Sequence, residues 1–156
     1  MGRVEARLAD LGLVLPPVAA PAGSYLPALR SGSLVYTAGQ LPFVDGVLPA
    51  TGKVGTDHGS VDPDEARSYA ATCALNALAA AATVLDSLDD VVRVVKLTGF
   101  VASDPAFTGQ PGVINGASDL LAEIFGEAGR HARSAVGVAV LPLDSPVEVE
   151  LVLEVR

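Results

Sequence analysis

The sequence predicts a single α+β domain in which two main helices pack on one face of a mixed β-sheet. Three observations support this fold class. Segments typical of helices and strands follow one another in the order short helix, linker, β, β, α, β, α, β, β. One long helix has a clear start signal, and the last segment alternates as a half-buried strand does. The length of 156 residues suits one domain with one sizeable core.

The N-terminal part is expected to be an addition to the main domain. Residues 1–24 should form a short helix and a proline-rich linker that pack on the domain formed by residues 25–156. Val4 and Leu8 recur at helical spacing, and the prolines that follow favour extended backbone. Tyr25, at the end of the linker, is either a packing anchor or a phenol directed at a pocket.

Local signals mark the first strand, a tight turn and the main helix. Residues 34–38 are typical of a strand, and Asp45-Gly46 lies between apolar segments as in a two-residue hairpin. Asp62 is placed to cap a helix that begins at Pro63 and runs to about residue 85. Alanines on the buried face of this helix allow it to lie close to a sheet.

A central strand and a second helical region follow. Residues 91–101 are apolar nearly throughout, which indicates a covered central strand. The second helical region is expected to begin at Ser103, to be interrupted at Asn115-Gly116, and to end at Phe125. Asn115 either caps the helix that follows it or contacts a ligand.

The last two strands carry the charges of greatest functional interest. Residues 134–141 are apolar, and residues 147–155 alternate between apolar and mostly acidic positions. Arg133 opens the first strand, so its guanidinium is expected at the sheet rim, where it can bind a carboxylate bidentately. Glu148 lies near the start of the second strand, and a salt bridge between the two is the simpler interpretation. His131 is expected to face water.

Composition and missing motifs exclude several classes of function. The net charge is −8 and the 10 Lys and Arg residues form no cluster, so nucleic acid is a poor partner. No apolar run suits a membrane span. The single cysteine, Cys73, excludes an internal disulfide and, with a charged N-terminus, indicates the cytoplasm. No metal-ligand cluster, phosphate-binding loop or serine elbow is visible.

Several segments together make the chain resemble the RidA (YjgF) family, known under the older labels L-PSP endoribonuclease and translation inhibitor. The matching segments are residues 36–42, 75–78, 91–101, 132–134 and 147–150 with Asn115, and they cover roughly residues 25–156 in family order. The resemblance implies a chorismate-mutase-like fold and a homotrimer whose sheets form a central barrel with three clefts between subunits. Such an assembly would cover the open face expected for this sheet.

The resemblance also implies a reaction, the hydrolysis of reactive 2-imino and enamino acids to 2-keto acids and ammonia. Such an enzyme would be a 2-iminobutanoate/2-iminopropanoate deaminase-like hydrolase that needs no metal or organic cofactor. Arg133 is similar to the arginine that grips the substrate carboxylate, and Glu148 to the glutamate that holds the attacking water. The positions that correspond to the rest of the substrate-binding cleft are Tyr25, Gly39, Asn115 and Ala135.

Two differences from the family pattern support an alternative function. Active members carry a serine and a cysteine where this chain has Ala38 and Ala135. The missing hydroxyl at Ala38 removes a hydrogen bond worth about 1 kcal/mol. The alternative is a non-catalytic trimer that binds small carboxylates in a regulatory or protective role. Ribonuclease activity is the least favoured function, because the protein is acidic and lacks a His/Lys catalytic set.

Overall fold

The computed structural model describes residues 1–156, which form three helices and one five-stranded sheet. The helices are α1 (Arg3–Asp10), α2 (Pro63–Ala82) and α3 (Gln110–Phe125). The strands are β1 (Ala28–Ser31), β2 (Leu34–Thr37), β3 (Val91–Ala102), β4 (Ala132–Val138) and β5 (Val147–Val155). The predicted α+β class is confirmed. No helix combines the length and apolar character needed to cross a membrane.

The sheet is mixed and has the strand order β1-β2-β5-β3-β4. Strands β3 and β4 are parallel, and the other neighbours are antiparallel. The last two strands of the sequence do not pair with each other, because β3 lies between them. Strand β3 is therefore an interior strand, as predicted. The expectation that it is covered is wrong for one of its faces, because Val92 and Val95 are exposed.

Helix α2 begins where the sequence indicates. The side chain of Asp62 accepts hydrogen bonds from the backbone N–H groups of Asp64 and Glu65, at 2.8 and 3.3 Å. Pro63 occupies the first helical position, where its missing N–H costs nothing. The helix ends at Ala82, slightly earlier than predicted. Its buried alanines bring α2 close to the sheet and to α3.

The N-terminal helix is held by a side chain from another part of the chain. Val4 and Leu8 of α1 are buried, as their spacing predicts. The carboxylate of Asp89 accepts hydrogen bonds from the backbone N–H groups of Arg3 and Val4, at 2.7 and 2.8 Å. These two hydrogen bonds are the main reason that the pKa of Asp89 lies below its usual value.

One face of the sheet forms the core with the helices, and the other face is open. Leu97, Leu151 and Leu153 point towards the helices and are almost completely buried. On the opposite face, Leu29 and Tyr36 are paired neighbours that expose 55% and 45% of their surface. No helix packs on this second face, so an apolar surface remains exposed.

Two predictions about the second helical region are wrong. Helix α3 begins at Gln110 rather than Ser103, because the backbone N–H of Ser103 still bonds to the carbonyl of Val138 at the end of the sheet. Asn115-Gly116 does not interrupt the helix either. Gly116 lies where the backbone carbonyl of Arg67 in α2 comes close, so the glycine serves helix packing.

The other differences concern short strands. The sequence does not predict β1, because three of its four residues are exposed and show no alternation. The Asp45-Gly46 turn is present with positive φ at both residues, but the flanking Val44 and Val47 form only an isolated bridge. Strand β4 also ends at Val138, before the predicted residue 141.

Candidate functional site

Arg133 lies on the edge strand β4, on the face of the sheet that carries the helices. It pairs with Leu97, whose side chain is buried in the core on that side. This register places the guanidinium against α3. Nη1 donates to Asn115 Oδ1 at 2.8 Å and to Ser118 Oγ at 3.2 Å, and Nη2 donates to the carbonyl oxygen of Pro111 at 3.2 Å.

No acidic side chain neutralises Arg133 in the chain. The three salt bridges are Lys53–Asp144, Arg67–Asp119 and Arg130–Glu127, so the predicted salt bridge from Arg133 to Glu148 is not formed. A guanidinium has five N–H donors. Three of them are used, which leaves the Nε hydrogen and one Nη2 hydrogen of Arg133. Donors on adjacent nitrogens match the two oxygens of a carboxylate.

Asn115 lies in the middle of α3, so its interpretation as a helix cap is wrong. Its amide oxygen accepts from Arg133 instead. Ser118 follows one helical turn later, on the same face of α3, and contacts the same guanidinium nitrogen. Sequence reasoning missed Ser118, although its spacing from Asn115 is a signal that could have found it.

The sequence led us to expect that His131 faces water, and this expectation is wrong. Its ring is partly buried, with Nε2 at 2.9 Å from Ser118 Oγ and Nδ1 at 2.6 Å from the carbonyl oxygen of Gly129. A carbonyl oxygen can only accept, so Nδ1 carries a proton. The ring is therefore part of the polar cluster around Arg133.

Glu148 lies in a second place, at a cavity of about 590 Å³ with mainly apolar walls. Tyr25, Ala38 and Gly39 line the same cavity. The carboxylate of Glu148 occupies the space that a side chain at Gly39 would need. Burial raises the pKa of Glu148, and the negative charge of Glu150 raises it further.

The remaining predicted residues contribute in different ways. The phenol oxygen of Tyr25 accepts a hydrogen bond from the backbone N–H of Ala22 at 3.0 Å, so the ring folds back on its own segment. Its O–H group remains able to donate into the cavity. Ala135 follows Arg133 by two residues on β4, and its methyl group packs against the core. It brings no polar side chain to the site.

The structure thus divides the predicted site residues into two groups. Tyr25, Gly39 and Glu148 share the cavity, whereas Asn115 and Arg133 share a hydrogen bond. Strand β3 separates the strands that carry Arg133 and Glu148, and the alternation of the strands directs the two side chains to opposite faces. One chain therefore does not bring the guanidinium and the carboxylate into one pocket. No group of three or more potential metal-ligating residues is present.

A layered sheet with a cationic edge and an apolar cavity defines an α+β protein suited to binding a small molecule. Comparison with known proteins gives its family. The model of the family described as "YjgF/chorismate mutase-like, putative endoribonuclease" matches residues 5–155. The chain belongs to this YjgF (RidA) family, and it has the chorismate-mutase-like fold that the resemblance implies.

Individual relatives agree with this assignment. Protein TCP17 of Trypanosoma cruzi is 46% identical over 156 residues, which cover 99% of this chain and 96% of that protein. The crystal structure of Atu1372 from Agrobacterium tumefaciens, a protein of unknown function, is 45% identical with a TM-score of 0.88, over 99% of this chain and 93% of that one. TdcF of E. coli, crystallised with bound serine, is 29% identical with a TM-score of 0.54, over 91% and 94% of the two chains.

Proposed function

We propose that this protein hydrolyses small 2-imino and enamino acids to 2-keto acids and ammonia, in a cleft between the subunits of a homotrimer. The observation that carries this proposal is Arg133, a guanidinium without an acidic partner that keeps two unused donors. The similar protein TdcF supports a ligand of this kind, because serine carries a carboxylate on a small carbon skeleton.

In the proposed reaction, Arg133 binds the substrate carboxylate and fixes its orientation. The C=N carbon of an iminium is already electrophilic, so its hydrolysis needs a placed water and a proton acceptor more than a strong nucleophile. Glu148 holds the water and takes its proton as the oxygen bonds to that carbon. The same proton then passes to the nitrogen, which leaves Glu148 as a carboxylate again. As the C–N bond breaks and ammonia leaves, Glu148 accepts the remaining hydroxyl proton and the ketone forms.

The proposal requires residues from two chains, because Arg133 and Glu148 face opposite sides of one sheet. A trimer in which one subunit provides Arg133 and its neighbour provides Glu148 meets this requirement. The open face of the sheet supports such an assembly, since packing it against other copies would bury Leu29, Tyr36 and Val136.

A coupled assay tests the reaction. An amino acid oxidase generates the imine in solution, and its loss is followed with and without the protein. We expect the wild type to accelerate hydrolysis and Arg133→Ala to lose the acceleration. Arg130→Ala is the matched control, because Arg130 is exposed and pairs with Glu127. Equal rates with and without wild-type protein would contradict the proposal.

The second candidate function is binding without turnover. It is favoured by the methyl groups of Ala38 and Ala135, which provide no polar atom for water activation, and by the apolar walls of the cavity. It predicts that 2-ketobutyrate raises the melting temperature of the wild type but not of Arg133→Ala, with no imine hydrolysis in the coupled assay.

A further inference from the structure

We propose that Ser118 and His131 are positioning residues for Arg133. A chain of hydrogen bonds from the guanidinium through Ser118 to His131 sets the orientation in which Arg133 receives a carboxylate. This inference deepens the proposed function and rests on it for the nature of the ligand. The hydrogen bonds themselves join residues of one chain.

The contacts give the chain one direction when the imidazole of His131 is neutral. Nδ1 of His131 must donate to the carbonyl oxygen of Gly129, at 2.6 Å. In a neutral ring Nε2 is then an acceptor, so the hydroxyl of Ser118 donates to it over 2.9 Å. The lone pairs of Ser118 Oγ are left to accept from Nη1 of Arg133 at 3.2 Å. Each group donates to the next, and no donor is opposed by another donor.

In this direction His131 affects Arg133 through Ser118, although His131 does not contact Arg133 itself. A hydroxyl that donates to an imidazole becomes a better acceptor, because hydrogen bonds in series polarise one another. The acceptor nitrogen of His131 also prevents the Ser118 hydroxyl from turning its hydrogen towards the guanidinium. Ser118 is therefore held as an acceptor, which is the role that Arg133 requires.

The acidic side chains near this hydrogen-bond chain are paired with other arginines and do not compete for Arg133. Asp119, next to Ser118, is paired with Arg67 at 2.6 Å, and Glu127 is paired with Arg130 at 3.4 Å. Neither carboxylate is engaged with Arg133. The guanidinium is thus oriented by neutral groups on α3 and by the polar chain through His131, and its charge remains available to a ligand.

Two substitutions of His131 separate positioning from a simple structural role. In His131→Gln the amide oxygen can take the place of Nε2 and accept from Ser118, but the contact to the Gly129 carbonyl is lost. In His131→Asn the amide nitrogen can take the place of Nδ1 and keep that contact, but the acceptor for Ser118 is lost. Ser118→Ala removes the intermediate hydroxyl, and Ser118→Thr retains it.

The first measurement needs no ligand. Nitrogen-15 spectra report whether rotation of the Arg133 guanidinium is hindered, with Arg133→Lys used to assign its signals. We expect hindered rotation in the wild type, His131→Gln and Ser118→Thr, and averaged signals in His131→Asn and Ser118→Ala. The second measurement is calorimetric titration with 2-ketobutyrate. We expect an affinity about five- to tenfold weaker in His131→Asn and Ser118→Ala, and near the wild-type value in the other two.

The opposite order, with His131→Asn intact and His131→Gln impaired, would overturn the inference, because His131 would then act only on the Gly129 carbonyl. Averaged Arg133 signals in the wild type would overturn it as well.

If a variant does not fold, the test is which ring nitrogens of His131 carry a proton in the wild type. Nitrogen-15 signals of the imidazole rings answer this and are simple to assign, since the chain has only two histidines. A proton on Nε2, with or without one on Nδ1, contradicts the proposed direction. If wild-type protein binds no 2-ketobutyrate, the ligand of the proposed function is wrong, and the guanidinium spectra still test the positioning.

Discussion

Arg133 shows, at the scale of single residues, how a cation can be held without being neutralised. Arg67 and Arg130 each pair with an acidic side chain, which compensates their charge. Arg133 instead donates to an amide oxygen, a hydroxyl and a backbone carbonyl. These acceptors order the guanidinium, but they leave its net charge uncompensated. The choice of neutral partners is therefore what distinguishes this arginine from the other two.

Gly39 provides the first prediction at this scale. Gly39→Ala is expected to displace the Glu148 carboxylate, because a methyl group there would overlap it. Its φ is not in the left-handed region, so the backbone tolerates alanine. We expect kcat/KM for imine hydrolysis to fall about 10- to 100-fold while the melting temperature changes little. Gly112→Ala, at an open position, is the control. Full activity of Gly39→Ala would show that the position of Glu148 does not matter.

Glu150 provides a prediction about pH. Its negative charge is the second cause, after burial, of the raised pKa of Glu148. If Glu148 takes a proton from water, activity rises with pH through that pKa. Glu150→Gln lowers the pKa towards its ordinary value, so the acidic limb of the kcat/KM profile should move to lower pH. Glu154→Gln, farther along β5, should leave the limb in place. A limb that stays fixed or moves to higher pH in Glu150→Gln contradicts the role of Glu148.

At the scale of elements, the close approach of α2 and α3 determines where the α3 side of the site lies. Gly116 permits this approach, because a side chain there would meet the backbone carbonyl of Arg67. Asn115 is the preceding residue, so the helix crossing and the orientation of the Arg133 acceptors depend on the same turn of α3. Packing between helices is in this way connected to the geometry of the site.

Two glycines of α3 give a matched test of this packing. Gly116→Ala is expected to lower the free energy of unfolding by about 1–3 kcal/mol, since a rigid backbone must move. Gly112→Ala meets no atom within 4 Å, so it should stabilise the protein by about 0.5–1 kcal/mol through helix propensity. Urea denaturation measures both values. Equal effects of the two substitutions would show that the helices can separate without cost.

At the scale of the whole molecule, local signals predicted the elements better than their arrangement. The start of α2 is encoded within four residues, because Asp62 and the N–H groups it accepts from lie in one turn. The pairing of β5 between β2 and β3 has no such local signal. Resemblance to the family suggested Arg133 and Asn115, but the contacts of Ser118 with His131 and with Arg133 span 13 and 15 residues. Those contacts exist only once α3 has packed beside β4.

The separation of Arg133 and Glu148 on one chain leads to a test of the whole assembly. Arg133→Ala and Glu148→Gln should each be inactive in imine hydrolysis. Subunit exchange between the two variants in equal amounts should restore about a quarter of the wild-type activity. A cleft is complete when the chain that provides Arg133 carries Glu148→Gln and the chain that provides Glu148 carries Arg133→Ala, and random mixing gives this pairing in about one cleft in four.

Light scattering should give a mass three times the 15.8 kDa of one chain. Mixtures of each variant with itself are the controls. An inactive mixture, after exchange has been verified by mass spectrometry of differently labelled chains, would show that the two residues do not serve one cleft.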